Sequence, residues 1–353
     1  WVLLRIMVMW GIVTMLLALA DNATHVYILR FLLGVAEAGF FPGILLYLTF
    51  WFPDRLRGRV TSAFATALPI AGIIAGPLSG TIMSRLADVG GLRGWQWLFL
   101  LEGLPAVLLG IIAFFYLADR PEKASWLSAD EKRQVAADLA ADRSAARVRT
   151  KLRFSEALRD SRLYLLAVIY FAYFCSLNAV LLWIPTLLRS VGIASVSDIG
   201  WISGGISLVA TCGMLIMGYS SDRLRERRLH VVCAGMATGC AFLCLSLAQH
   251  SSLATILLLT VAATGVYSVL ALFWTIPSSY LEGNAAAGGL ATISAVGSFG
   301  GAVSPAFIGW ARELTGSFYM ALGAVGLLVM AGMVLLLIAF REPRPKTAMA
   351  LAT

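Results

Sequence analysis

Long apolar runs separated by short polar connections dominate the sequence. A hydrocarbon core about 30 Å thick needs roughly 20 apolar residues for one helical crossing. Membrane β-barrels show instead segments of about ten residues with alternating polarity, and the sequence has no such pattern. The runs therefore predict an all-α polytopic membrane protein with ten spans, at residues 1–20, 26–50, 60–83, 96–118, 164–188, 199–219, 229–248, 252–276, 287–311 and 317–340.

The composition and the charge distribution agree with a membrane location. The chain is 59% hydrophobic and 13% charged, whereas soluble proteins average about 45–50% apolar and 25% charged residues. Lys and Arg are concentrated in alternate connections, with three at 52–59, eleven at 119–163, four at 223–228 and three after 340. Basic connections are retained in the cytoplasm, so we expect these segments and the C-terminus there. Because no basic face recurs with helical spacing, we expect no nucleic-acid partner.

One long polar stretch divides the chain. We predict an N-terminal helical bundle at 1–118, a cytoplasmic central loop at 119–163, a C-terminal six-helix bundle at 164–341 and a cytoplasmic tail at 342–353. Within the loop, Ser128 followed three residues later by Glu131 has the spacing of a capping box, which predicts a helix starting there.

Two similar segments indicate an internal repeat. GPLSG (76–80) and GGAVSPAFIG (300–309) both combine small residues, a proline and a glycine. Repetition of helix groups around a central loop is typical of transporters. If the halves are equivalent, the first lacks two spans ahead of Trp1, and the whole protein would have twelve.

Several longer segments resemble the major facilitator superfamily, and within it the anion:cation symporters that include phthalate, tartrate, hydroxyphenylacetate and sugar-acid permeases. They are RFLLGVAEAGFFPGILLYLTFWFPDRLRGR (30–59), WQWLFLLEGLP (95–105), LADRPEKASWLSADEK (117–132), GYSSDRLRERR (218–228) and FWTIPSSYLEGNAAAGGLATISAVGSFGG (273–301). The resemblance implies ten of twelve transmembrane helices in two pseudo-repeated halves. It also implies a monomeric secondary transporter in a bacterial inner membrane, which carries a small organic anion by proton symport with alternating access.

Charged residues inside the apolar runs are the first candidates for the site, because a charge inside a membrane costs about 2.5–3.5 kcal/mol on insertion scales. Arg30 and Glu37 lie seven residues apart and therefore share a helix face. We interpret Glu37 as the proton-coupling carboxyl and Arg30 as a substrate-binding residue, since the family has Arg and Glu at this spacing and a guanidinium suits a carboxylate. The alternative is that Arg30 reaches the membrane surface and Glu37 makes a static hydrogen bond. Glu102 is a weaker candidate.

Polar and aromatic residues in the second half complete the predicted site. The substrate-binding candidates are Tyr170, Asn178, Trp274, Ser294 and Ser298. Asn178 can both donate and accept hydrogen bonds, and Trp274 offers an apolar face with one donor. Asp222 and Arg223 are interpreted as gating residues, with a basic loop that sets topology as the alternative.

Other functions are less well supported by the sequence. Neither a P-loop nor a His-Glu-x-x-His motif occurs, so we expect neither a primary pump nor an intramembrane enzyme. An anion exchanger and a non-transporting sensor on the same fold stay open. Protons are the only coupling ion that we expect, with no further cofactor and no metal. The five cysteines lie inside apolar runs without metal-ligand spacing, and we expect them to be buried free thiols.

Overall fold

The computed structural model describes residues 2–53, 56, 60–61, 63–64, 66–148, 160–248, 251–280 and 283–340. In these residues every regular element is helical. The α-helices are α1 (Val2–Leu16), α2 (Ala23–Glu37), α3 (Phe40–Trp51), α4 (Ala67–Arg85), α5 (Gly94–Tyr116), α6 (Ala129–Val148), α7 (Ser161–Ser190), α8 (Val196–Leu224), α9 (Arg228–Cys244), α10 (Ser252–Leu272), α11 (Thr275–Tyr280), α12 (Gly283–Thr315) and α13 (Phe318–Ala339).

Within the described part of the chain, nine helices are long and apolar enough to cross a membrane. They coincide with nine of the ten predicted runs, because apolar side chains on a lipid-facing helix leave a simple hydropathy signal. The all-α polytopic architecture is confirmed.

The remaining predicted run, residues 26–50, is not a single helix. It consists of α2 and α3, with a turn at Ala38 and Gly39. Pro42, the third residue of α3, has no amide hydrogen for the Ala38 carbonyl, so it cannot continue the hydrogen-bond pattern of α2. The interruption immediately follows Glu37.

The chain divides into two compact units. The first comprises Trp1–Arg149 and Ser195–Trp201, and the second comprises Thr150–Ala194 and Ile202–Thr353. The predicted domain boundaries stay predictions, and the predicted tail at 342–353 and the arginines at 55, 57 and 59 lie outside the described residues.

Glycines bring α1 and α5 together in the first unit. A Cβ atom added to Gly11 would lie 2.7 Å from the carbonyl oxygen of Gly103, and one added to Gly103 would lie 2.7 Å from that of Gly11. About two turns further along α5, a Cβ on Gly110 would come within 2.9 Å of Met7. Small residues of this kind allow membrane helices to pack backbone to backbone.

The second unit has a comparable contact between α7 and α12. A Cβ on Gly300 would lie 2.6 Å from the carbonyl oxygen of Phe171. One turn away, the buried Ser304 hydroxyl donates a hydrogen bond of 2.9 Å to the carbonyl oxygen of Cys175. Because lipid offers no alternative partner, the hydroxyl fixes the register of the two helices.

The polar helix α6 begins as predicted. The Ser128 amide and hydroxyl each bond to Glu131 Oε2 at 2.9 Å, and the Glu131 amide bonds to the Ser128 hydroxyl at 3.3 Å. This is the reciprocal capping box. The hydrogen bonds from the Ser128 amide and hydroxyl lower the pKa of the Glu131 carboxyl below its ordinary value.

The prediction for the cysteines is correct for one residue and wrong for the others. Cys175 is buried, whereas Cys212, Cys233, Cys240 and Cys244 have exposed positions on their helices. The reason is that a thiol is a small, weakly polar group, so it is tolerated on a surface that faces lipid as well as in a core.

Candidate functional site

Arg30 and Glu37 lie on α2 with both side chains exposed. Seven residues correspond to about 10 Å along the helix axis. Among the described residues no ion pair joins the two. The helix therefore carries a permanent positive charge and a titratable carboxyl on one face, and both remain open to a ligand.

The helix interruption changes the surroundings of Glu37. Glu37 is the last residue of α2, and Ala38 follows with its amide bonded to the Gly34 carbonyl at 3.0 Å. The carbonyl of Ala38 lacks the amide donor that residue 42 would supply in a continuous helix, because that residue is proline. Interrupted helices with free backbone carbonyls are typical places for ion binding in transporters.

Glu102 has a specific partner that the sequence did not reveal. Its Oε1 atom accepts a hydrogen bond of 2.7 Å from the Ser79 hydroxyl, which joins α5 to α4. Because its carboxyl already bonds to a neighbouring helix, we interpret Glu102 as a residue that stabilises the packing of α4 and α5. It is therefore a weaker proton-coupling candidate than Glu37.

Tyr170 lies at the centre of an aromatic cluster in the second unit. Its ring centroid is 4.8 Å from those of Phe273 and Trp274, and 5.4 and 5.2 Å from those of Tyr173 and Phe174. The Tyr170 side chain is 5% exposed, and its hydroxyl takes part in a hydrogen bond with the Trp274 side chain. Tyr170 is therefore a buried member of the cluster and contributes little to its accessible surface.

Trp274 and Asn178 are the more accessible members of the predicted set. Trp274 lies in the turn between α10 and α11 and is half-buried. Asn178 is also half-buried, and its Nδ2 atom donates to the Phe174 carbonyl at 3.0 Å. A Cβ on Gly301 would lie 3.0 Å from the same Nδ2 atom, so this side chain faces α12. Its Oδ1 atom is left to accept another hydrogen bond.

Ser294 and Ser298 are one helical turn apart on α12, and Ser298 is exposed. Gly297, next to Ser298, lies against the ring of Tyr170, and Gly301, three residues after Ser298, lies against Asn178. The structure thus brings α12 against the helix that carries Tyr170 and Asn178. Among the described residues, no side-chain hydrogen bond joins either serine to Tyr170 or Asn178.

Asp222 and Arg223 do not form a pair with each other. Asp222 bonds to Arg227, whose Nη1 atom also donates to the Ser221 hydroxyl at 3.3 Å. Arg225, with φ of 53°, turns the chain back so that Arg227 reaches the end of α8. Arg223 points outward and is exposed. Asp222 therefore pairs with Arg227, and not with the adjacent Arg223.

Sequence reasoning missed the residues that hold the second-unit site in place. Ser304 fixes α12 to α7, and Gly297 allows the Tyr170 ring to approach the α12 backbone. A sequence signal was present: Gly297, Gly300, Gly301 and Ser304 form a stripe of small residues with helical spacing, which indicates close helix packing.

Comparisons with known proteins identify relatives along the whole chain. The profile of the family described as Major Facilitator Superfamily matches residues 1–305 and, in a second match, 194–352. A protein of Agrobacterium vitis, named as a candidate tartrate transporter, is 41% identical over 342 residues, 96% of this chain and 78% of the relative. NicT of Pseudomonas putida, named as a candidate metabolite transport protein, is 41% identical over 318 residues, 90% of this chain and 72% of its own. The crystal structure of a D-xylose-proton symporter has a similar fold, with a TM-score of 0.69 at 16% identity, over 95% of this chain and 79% of that one.

Proposed function

Because this chain belongs to the major facilitator superfamily, it is a multi-pass secondary transporter of a small organic molecule and not an enzyme, and we propose that its substrate is an organic anion moved by proton symport. The proposed substrate is a carboxylate, such as tartrate, an aromatic acid or a sugar acid. Transport would cross a bacterial inner membrane by alternating access. The name of the Agrobacterium vitis relative, a candidate tartrate transporter, supports this substrate class.

The observation that carries the proposal is the position of Arg30 and Glu37 seven residues apart on α2, with both side chains exposed. A guanidinium stays protonated at any physiological pH and binds a carboxylate through two parallel hydrogen bonds. A carboxyl inside a membrane can be neutral or ionised, and removal from water disfavours the ionised form. Arg30 would then attract the substrate anion, and Glu37 would take up the proton that accompanies it.

Proton coupling at Glu37 would favour binding of the anion. With Glu37 ionised, its negative charge offsets that of Arg30 and opposes a second anion nearby. Protonation removes this opposing charge, so the substrate and the proton bind cooperatively, as linkage requires. For one proton per anion, a gradient of one pH unit supplies about 1.4 kcal/mol, which supports about tenfold accumulation.

Within the second unit, the predicted binding residues suit the same class of substrate. The free Oδ1 atom of Asn178 and the hydroxyls of Ser294 and Ser298 suit hydroxyl groups on a sugar acid or on tartrate. The half-buried face of Trp274 suits an apolar or aromatic body. Tyr170 would hold Trp274 in position. Asp222 is proposed to gate through its ion pair with Arg227, and Arg223 would contribute through its charge.

Uptake measurements on the purified transporter in proteoliposomes test the proposal. Labelled tartrate, an aromatic acid and a sugar acid are offered with and without an inward proton gradient. We expect at least one of them to accumulate only with the gradient. In addition, Arg30→Lys, which keeps the charge but loses the planar fork, should raise the KM for that substrate, whereas Arg85→Lys at the end of α4 should not.

Two outcomes would contradict the proposal in different ways. If a carboxylate exchanges across the membrane but never accumulates under the gradient, the protein is an anion exchanger. If no carboxylate moves, while the protein still binds one, it is a sensor on the transporter fold.

A further inference from the structure

A separate pair of cavities lies where α3 and α5 end. One has a volume of about 200 Å³ and is lined by Tyr47, Trp51, Tyr116, Leu117, Ala118 and Trp126. The other, of about 240 Å³, is lined by Phe115, Tyr116, Leu117, Ala118, Asp119, Lys123, Ser125 and Trp126. They share the wall from Tyr116 to Ala118 and the indole of Trp126. The proposed transport function uses none of these residues.

The shared wall is held in place by defined contacts. The Trp51 and Trp126 rings stack with centroids 5.5 Å apart and planes 6° from parallel. The Tyr47 hydroxyl donates to the Ala118 carbonyl at 3.0 Å. The short turn that follows is closed by the Ala124 amide, which bonds to the Pro121 carbonyl at 3.1 Å. A ligand would therefore meet a site that is already formed, so little ordering would oppose its binding.

The cavities lie at the end of a helix long enough to cross a membrane, where lipid headgroups are expected. The membrane-crossing helix α5 ends at Tyr116, and α3 ends at Trp51. Trp and Tyr accumulate at this level because their rings suit the boundary between hydrocarbon and water. Tyr116 and Trp126 are 77% and 63% exposed, so lipid can reach both.

The larger cavity combines both signs of charge with an aromatic face. Asp119 and Lys123 both line it, together with the Ser125 hydroxyl. Lys123 can bind a phosphate oxygen as a point charge. A carboxylate would repel a purely anionic lipid, but it can bind an ammonium group, and the face of an indole attracts the same cation.

We propose that these cavities bind a phospholipid of the phosphatidylethanolamine class, which carries a phosphodiester and a primary ammonium. The phosphodiester would bind to Lys123, and the ammonium would lie between Asp119 and the Trp126 ring. The more apolar cavity beside Trp51 would receive the glycerol end of the lipid. A quaternary ammonium has no N–H to donate to Asp119, and a glycerol headgroup has no positive charge, so the site selects against both.

Lipid retention by the purified transporter tests the proposal. Native mass spectrometry in detergent would compare phosphatidylethanolamine, phosphatidylcholine and phosphatidylglycerol with identical acyl chains. We expect phosphatidylethanolamine to be retained best. Trp126→Ala should weaken its retention by about two- to fivefold, the effect of one cation–π contact. Asp119→Asn should remove the preference for phosphatidylethanolamine over phosphatidylglycerol.

A control and the contrary outcomes make the test decisive. Lys132→Gln on α6 removes a charge outside the cavities and should leave lipid retention unchanged, whereas Lys123→Gln should weaken it. Equal retention of the three lipids would overturn the proposal, and so would a preference for phosphatidylglycerol. If Trp126→Ala fails to fold, Asp119→Asn still tests the proposal. An unchanged preference of that variant for phosphatidylethanolamine over phosphatidylglycerol would contradict the assigned role of the carboxylate.

Discussion

Gly297→Ala is the sharpest test of how the second-unit site is built. An added Cβ would lie 2.1 Å from Cδ1 and 2.8 Å from Cε1 of Tyr170. Since ordinary contacts begin at 3.4 Å, the ring or the helix must move by about 1.3 Å, the difference between the two distances. The ring is enclosed by Phe273 and Trp274, each 4.8 Å away between centroids, so its movement would displace Trp274.

A matched control separates the loss of stability caused by the contact with Tyr170 from the change in helix propensity. Gly309 lies on the same helix, and a Cβ there would meet nothing within 4 Å. Both substitutions gain up to about 1 kcal/mol of helix propensity. Only Gly297→Ala overpacks, which typically costs about 1–3 kcal/mol. The difference in stability between the two variants therefore isolates the contact with Tyr170.

Thermal unfolding of the purified variants in detergent, followed by tryptophan fluorescence, measures this difference. We expect Gly297→Ala to melt at least about 2 °C below Gly309→Ala. We also expect a weaker substrate affinity in Gly297→Ala alone, because Trp274 is displaced. Equal melting temperatures together with equal substrate affinities would refute the close approach of α12 to Tyr170.

Three further predictions address other parts of the molecule. Gly103→Ala should lower the melting temperature through overpacking of about 1–3 kcal/mol at the α1–α5 contact, and wild-type stability would contradict that contact. Ser304→Ala should destabilise the protein by about 0.6 kcal/mol, the average for such bonds in membranes, and hydrogen exchange of α7 should rise. The α6 cap should weaken in acid: the lowered pKa of Glu131 stabilises the folded helix above the ordinary value of 4.5, and this is lost as pH falls through the folded pKa. Exchange of the first-turn amides should then rise in the wild type, while Glu131→Gln shows no such pH dependence.

Hydropathy was enough to locate the spans, but it did not predict the break after Glu37. The reason is that proline has no fixed effect in membrane helices. Pro77, Pro105, Pro185 and Pro305 all lie inside continuous helices of the described chain, whereas Pro42 accompanies an interruption. Neighbouring helices can compensate for a lost hydrogen bond at one site and not at another, and this depends on tertiary packing.

Side-chain partners were also beyond what the sequence could specify. The helical spacing of Arg30 and Glu37 follows from helix geometry alone and could be predicted. Asp222 pairs with Arg227 because Arg225 adopts a left-handed conformation, and a non-glycine residue gives little warning of that. The contact of Glu102 with Ser79 depends on the rotation of two helices about their axes, which an apolar pattern that surrounds the helix does not define.

The measurement that tests proton coupling most directly compares two modes of transport in Glu37→Gln. Counterflow needs substrate binding and conformational exchange but no gradient, whereas accumulation needs the proton. We predict that Glu37→Gln retains counterflow and loses gradient-driven accumulation, while Glu102→Gln, whose side chain can still accept a bond from Ser79, retains both. Accumulation by Glu37→Gln at the wild-type level would contradict the assignment of this carboxyl as the coupling site.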